Sequence, residues 1–393
     1  ARPPGQLDDG TTAPLPTVIG GLSAFVPVTP ARLADTRESN APLGPDGVLR
    51  VQVTGAPGIP STGVTAVVAN VTAVDPTAPT YFTAYPGGTA LPPTSSINVG
   101  GPGRPVPNLV TVGVGLDGSI EVFNKFGHAH CLVDVFGYFA QTGGDAPGDR
   151  FVPLTPARLF DTRTGHGVAA GKLAHEVPVE IAVAGFAGVP ADATAVVMNL
   201  TVTEADAPGF LRLTPAGATP ALTSNVNFFA GDTVPNLAIV RLGGGGKVLL
   251  DGAGAGKHAI GDVFGYFTAG AGERLRATAP RRLLDTREGL GAAKAPIGPG
   301  RQIDVTVARR AGVPANATAV VLNVAATNIS APSFLTVWPA GQAQPDTSNL
   351  NLFPGQTIAN AVICRLGDDG ALTIGNPIAD CDVLADVTGY FTP

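Results

Sequence analysis

Residues 64–74 read VTAVVANVTAV, and the phrase returns as TAVVMNLTVT from Thr194 and as TAVVLNVAAT from Thr318. Short apolar runs rich in Val and Thr, bounded by Pro, Gly, Asn and Asp, carry the signature of strands and turns. The chain holds 52 Gly and 37 Pro but only five Lys and seven Glu, so the strongest surface helix formers are nearly missing. Eight or nine such runs in each copy predict an all-β chain of jelly-roll-like β-sandwiches.

Two further phrases frame each copy. PARLADTR at Pro30–Arg37 recurs as PARLFDTR at Pro156–Arg163 and as PRRLLDTR at Pro280–Arg287. Each copy closes with DVFGYF from Asp134, DVFGYF from Asp262 or DVTGYF from Asp386. The repeat is roughly 125 residues, long enough to bury a core of its own, unlike solenoid repeats of about 20–50 residues. The reading is a proline-rich arm at 1–24 and tandem sandwiches at 25–140, 151–268 and 275–393. The joints Gln141–Arg150 and Thr268–Arg274 are short and rich in Gly, Ala and charge, which favours three domains in a semi-rigid string over packing about a pseudo-threefold axis.

Charged residues make up 14% of the chain and the net charge is −6. A usual share is about 25%, so the outer faces are either covered in an assembly or built from Thr, Ser, Asn and Gly. No basic cluster exists to hold nucleic acid or an anionic membrane, and no apolar run nears the length of a membrane span. The only Met is Met198 and the chain opens ARPPGQLDDGTTAPLP, which reads as a mature end after export or as a boundary set by hand. Cys364 and Cys381 are expected on neighbouring strands and to form a disulfide in an oxidising compartment. Cys131 has no partner in its own unit and is expected to stay a buried thiol. The arm carries Leu15, Val18, Ile19 and Leu22; it reads as a linker, with docking on a neighbouring protomer's free strand edge as the other option.

Charge concentrates in the framing phrases: Arg32, Asp35, Arg37 and Asp134; Arg158, Asp161, Arg163 and Asp262; Arg282, Asp285, Arg287 and Asp386. Asp is depleted in strands, and a buried Arg demands a bidentate carboxylate. Two Arg and two Asp per unit are therefore expected to form a neutral structural network tying the first segment to the last strand. The functional reading of these residues is a site for sugar hydroxyls. Tyr138, Tyr266 and Tyr390 are expected to share a face with the Asp four residues earlier. Asn70, Asn199 and Asn323, Asn98, Asn227 and Asn351, and Asn108, Asn236 and Asn360 recur at matched places and are expected to satisfy backbone groups at bulges or edges. Candidate sugar-stacking aromatics are Tyr81, Tyr85, Phe334 and Trp338.

Signatures of catalysis are missing. The five His do not combine with Cys at metal-ligand spacing, and no nucleophile elbow, P-loop or dinucleotide fingerprint occurs. The expectation is no catalytic residue, no metal and no cofactor.

The linked phrases RLxDTR and DVxGYF, with TSNxN between them, resemble an uncharacterised repeat of secreted and surface proteins from Actinobacteria, Acidobacteria and related bacteria. The resemblance covers residues 25–393. It implies export and surface location rather than any chemistry. The combined expectation is a non-enzymatic extracellular structural or adhesive protein at the cell surface or in a secreted assembly, associating with itself or with another surface protein, with a filament or sheet subunit as one form of that assembly. The alternative is a carbohydrate-binding, lectin-like protein with a glycan as partner.

Overall fold

The computed structural model describes residues 20–141 and 148–393. Most of the proline-rich arm and the middle of the first joint lie outside them. The first unit holds β1 (Ser23–Asp35), β2 (Gly47–Gln52), β3 (Val64–Val74), β4 (Thr80–Pro86), β5 (Ile97–Val99), β6 (Val106–Gly113), β7 (Ser119–Asn124) and β8 (His130–Gln141). The second repeats them as β9 (Arg150–Asp161), β10 (Val179–Ala182), β11 (Ala195–Thr203), β12 (Gly209–Pro215), β13 (Val226–Phe228), β14 (Val234–Arg241), β15 (Lys247–Asp251) and β16 (His258–Thr268). The third runs β17 (Arg274–Asp285), β18 (Arg301–Thr306), β19 (Ala319–Thr327), β20 (Ser333–Pro339), β21 (Leu350–Leu352), β22 (Ile358–Arg365), β23 (Ala371–Asn376) and β24 (Asp382–Thr392).

Each unit is a jelly roll. In the first, an antiparallel sheet ordered β1-β8-β3-β6 faces one ordered β2-β7-β4-β5, the eight-stranded double-sheet arrangement. The orders β9-β16-β11-β14 and β17-β24-β19-β22 repeat the inner sheet, and β10-β15-β12-β13 and β18-β23-β20-β21 the outer one.

The units do not hang on a string. Their inner sheets pack against one another around a common core of Phe25, Phe139, Phe151, Phe267, Leu275 and Phe391, with Ala66, Val68, Val197 and Val321 behind them. The rings of Phe25 and Phe267 lie 4.3 Å apart and those of Phe151 and Phe391 4.4 Å apart. The first strands close the ring of units: Phe25 and Asp149 exchange both backbone hydrogen bonds, as do Phe151 and Glu273, and Ser23 pairs with Leu275. The physical reason lies in the phrase that announced the strands. On β3, Val67, Ala69, Val71 and Ala73 enter the unit's own core, while Ala66 and Val68 face the common one. A free sandwich keeps one wet face per sheet and alternates apolar with polar residues; an inner strand apolar on both faces needs cover on both.

A bulge in the closing strand completes the arrangement. Opposite β3, Val68 pairs with Gly137 and Ala69 with Val135, which leaves Phe136 extra; Phe264 and Thr388 are the extra residues in the other units. Past the bulge the faces exchange. Tyr138 and Tyr390 enter their units' own cores and Tyr266 packs against its own, on the side opposite the Asp four residues earlier rather than with it. Gly137 is needed because a Cβ there would collide with the Phe25 ring, as one at Gly265 would with Phe151.

The expected Cys364–Cys381 bridge is overturned: all three cysteines are free and buried. Cys364 lies opposite Val320 on one side of β19, whereas Cys381 precedes Asp382, which pairs with Thr327 on the other side. Seven residues of β19 separate these levels, about 23 Å at the usual strand rise, while a disulfide needs Cα atoms within about 7 Å. Burial pushes the thiols of Cys131 and Cys364 up, and that of Cys381 up to about 12. Intact protein is expected to take up no iodoacetamide and denatured protein three equivalents, read by mass spectrometry; native labelling at any of the three would contradict this burial.

Candidate functional site

The framing phrases meet across the inner sheets. In the first unit Arg32 grips Asp134 with two parallel bonds, Nε to Oδ1 at 2.8 Å and Nη2 to Oδ2 at 3.0 Å, and turns Nη1 to Asp35 at 2.9 Å. Arg37 closes on the other side of Asp35, Nη2 to Oδ2 at 2.6 Å. The pattern repeats with Arg158 on Asp262 and Asp161, Arg163 on Asp161, Arg282 on Asp386 and Asp285, and Arg287 on Asp285. The DTR phrase thus supplies two different arginines. The first reaches the last strand and keeps 21–26% of its side chain exposed, whereas the second reaches only its own Asp and stays 39–45% exposed.

Electrostatics follow the geometry. Arg37 holds the Asp35 carboxyl well below the ordinary carboxylate range; Arg287 lowers Asp285, and burial opposes but does not cancel the lowering of Asp161 by Arg163. Burial pushes Asp134, Asp262 and Asp386 above that range, against the pull of their arginines. The neighbouring Thr of each phrase completes the tie: Thr36 and Thr162 bond His130 and His258 at 3.0 Å, and Thr286 donates to Asp382 at 2.9 Å. These histidines are accounted for by structure.

The recurring asparagines do what no single unit could show. Asn236 donates to Asn70 Oδ1 at 2.9 Å and to Asn225 O at 2.6 Å, and accepts from the Leu109 amide at 3.1 Å. Asn360 makes the same three bonds to Asn199, Asn349 O and Leu237 N, and Asn108 to Asn323, Ser96 O and Ala361 N. In return Asn70, Asn199 and Asn323 donate to the carbonyls of Ser224, Ser348 and Ser95 in the next unit. A cyclic collar of six amides therefore joins the three inner sheets. These asparagines satisfy backbone groups, Asn108, Asn236 and Asn360 from the edge strands β6, β14 and β22, but they do so across units as well as within them. Of the third set, Asn98 and Asn351 keep an unpaired Nδ2. Asn70 and Asn199 are fully buried.

Of the proposed sugar-stacking aromatics, two are overturned. Trp338 is 1% exposed with its indole N–H on Gln342 O at 3.0 Å, and Tyr85 is 4% exposed with its hydroxyl pushed up to about 12 by burial and Glu121. Both lie on the outer face of their outer sheets, since Ala84 and Val337 beside them enter the cores; Trp338 is covered against Gly375 and the loop after β20, and Tyr85 beside Glu121. Tyr81 stays half-buried beside Phe123 and Phe126. Phe334 is half-buried too, and stands in the wall of a cleft of about 700 Å³ between the second and third units. Arg158, Asp161 and Arg163 line one side of that cleft, and Asp346, Thr347 and Asn351 the other. A second cavity of about 350 Å³ sits where the segments Val106–Pro107, Val234–Pro235 and Ile358–Ala359 converge; Thr233 and Asn351 belong to both.

Sequence reading missed Thr347 and Lys257. Thr347 belongs to the TSNLN phrase, whose recurrence was its signal. Lys257 has no counterpart: its ammonium donates to the carbonyls of Ala174, Gly252 and Gly254, where the first unit uses Asn124 on Leu43, Gly44 and Gly127. That substitution of one donor for another accounts for a buried lysine whose burial lowers its pKa. Among the described residues no group of three or more His, Cys, Asp or Glu is placed to hold a metal, and no helix is long and apolar enough to cross a membrane.

No family model matches this sequence, and no curated protein does. Among solved structures, one described as "The Triple Jelly Roll Fold and Turret Assembly in an Archaeal Virus" aligns with 99% of this chain and 94% of its own, at 8% identity and a TM-score of 0.17. A score that low carries no argument.

Two expectations follow from the geometry. Arg158→Ala strands Asp262, which is 1% exposed, and should cost about 3–5 kcal/mol in urea denaturation, whereas Arg163→Ala on the wet side should cost about 1 kcal/mol or less; equal losses would contradict the division of roles. Asn236→Asp keeps the shape but sets a carboxylate against Asn70 Oδ1 and Asn225 O. Ionisation is then penalised in the folded state, so its pKa rises above the unfolded value of about 3.9. The variant should approach wild-type stability at acid pH and lose it as pH rises towards 7, in thermal melts across that range.

Proposed function

We propose that this chain is a non-enzymatic, exported structural or adhesive protein, a preassembled block of three jelly rolls that works at the cell surface or in a secreted assembly through self-association or contact with another surface protein. The observation that carries this reading is the use made of the shared polar residues. Arg32, Asp35, Arg37 and Asp134, their counterparts at matched places in the other two units, and every Asn of the collar are bonded to other groups of the protein. Chemistry repeated three times is cohesive rather than catalytic.

The outer surface supports association. β2, β10 and β18 are edge strands, each paired on one side only, and free edges template strand addition. Phe126, Phe186, Leu222 and Ile378 are each more than half exposed, on a surface low in charge. The resemblance of RLxDTR and DVxGYF to repeats of exported proteins agrees with this setting.

Light scattering and negative-stain electron microscopy of the purified chain across a wide concentration range test the reading. The expected result is discrete oligomers, filaments or sheets, weakened by Val48→Lys on the β2 edge. A monodisperse monomer at every concentration would overturn it.

A further inference from the structure

The cleft between the second and third units combines features that cohesion does not use. Thr347 is 5% exposed, yet its Oγ1 has no hydrogen-bond partner, and the Nδ2 of Asn351 is likewise buried and unpaired. Both come from the TSNLN phrase and both line this cleft. Leaving a buried polar group unpaired costs about 1–3 kcal/mol, so two such groups in one wall are a standing demand for a partner. The half-buried Phe334 lines the same cleft and pairs with Asn351 across β20 and β21.

The lining also selects the partner's chemistry. Arg158 and Arg163 are balanced by Asp161 and Asp346, so the cleft offers donors and acceptors without net charge, which disfavours an anion. An extended peptide would need a free strand edge, and β21 on this wall is only three residues long. A hydroxyl-rich ligand with an apolar ring face satisfies all three features: unpaired hydroxyl and amide, alternating charge, and aromatic. Its length is set by continuity, because Asn351 and Thr233 join the cleft to the axial cavity. The cleft volume of about 700 Å³ lies within the range of small-molecule sites, about 300–1,000 Å³.

We infer that this cleft is a binding site for a neutral oligosaccharide, with Phe334 as stacking face and Thr347 and Asn351 as hydrogen-bonding contacts. The inference is independent of whether the chain polymerises.

Isothermal titration calorimetry on the full chain tests it with maltohexaose, cellohexaose, chitohexaose and mannohexaose as neutral probes, and with oligogalacturonate and a heparin hexasaccharide as acidic ones. At least one neutral probe should bind. Phe334→Ala should weaken it about tenfold, the loss of one aromatic contact. Thr347→Val should weaken it severalfold without lowering the melting temperature, since that hydroxyl has no internal partner to lose; this variant serves if Phe334→Ala fails to fold. The inference is overturned if no neutral probe binds at millimolar concentration, if only the acidic probes bind, or if binding survives both substitutions.

Discussion

The architecture rests on inner sheets that are buried on both faces. Once the face of β3 bearing Ala66 and Val68 is turned towards the other two units, every polar group on that face must find its partner inside the protein. Asn70 cannot reach water, so it bonds Asn236 and the Ser224 carbonyl. Asp134 cannot either, so Arg32 must come to it from the first strand. The collar and the three Arg–Asp ties are two answers to one demand, and both are specific in a way that apolar packing alone is not: an amide out of register leaves unpaired groups, whereas a shifted Val still packs.

Repetition and departure divide the chemistry between them. What all three units share holds the body together. What differs among them shapes the surface: Lys257 where the others use Asn, the Arg212–Asp251 pair on the second unit's outer sheet, and Phe334 against Tyr81 and Phe210 at matched positions. The cleft with unpaired groups occurs where the second unit's wet-side arginine meets the third unit's TSNLN phrase. Thr347 and Asn351 belong to the repeated phrase, and Asn98 of the first unit likewise keeps an unpaired Nδ2; what is particular to this cleft is the Phe334 ring and the facing arginines of the second unit.

Particular residues show how far linear reading reaches. The two-Arg, two-Asp composition of each unit is visible in RLxDTR and DVxGYF, because charge is scarce everywhere else. Which Arg meets which Asp is not visible, since it depends on the register of β1 against β8. Tyr138 was placed on the wrong face because strict alternation holds only until a bulge, and Phe136 supplies one. Cys364 on β22 and Cys381 just before β24 lie near in sequence, but β19 runs between β22 and β24 and separates the two levels along its length. Trp338 looked like a platform from its type alone, whereas the loop after β20 covers it.

By itself the sequence determined the class of structure and marked three repeats with the charged phrases that frame them, because period-two patterning and triplicate phrases are local properties of the chain. Only the tertiary structure decided that the units share one core, that the asparagines pair between units, and that a polar cleft opens between the second and third. Those outcomes depend on which surfaces meet around the axis. An apolar strand reads the same whether its second face is covered by its own unit or by a neighbour, and only the packed molecule tells the two apart.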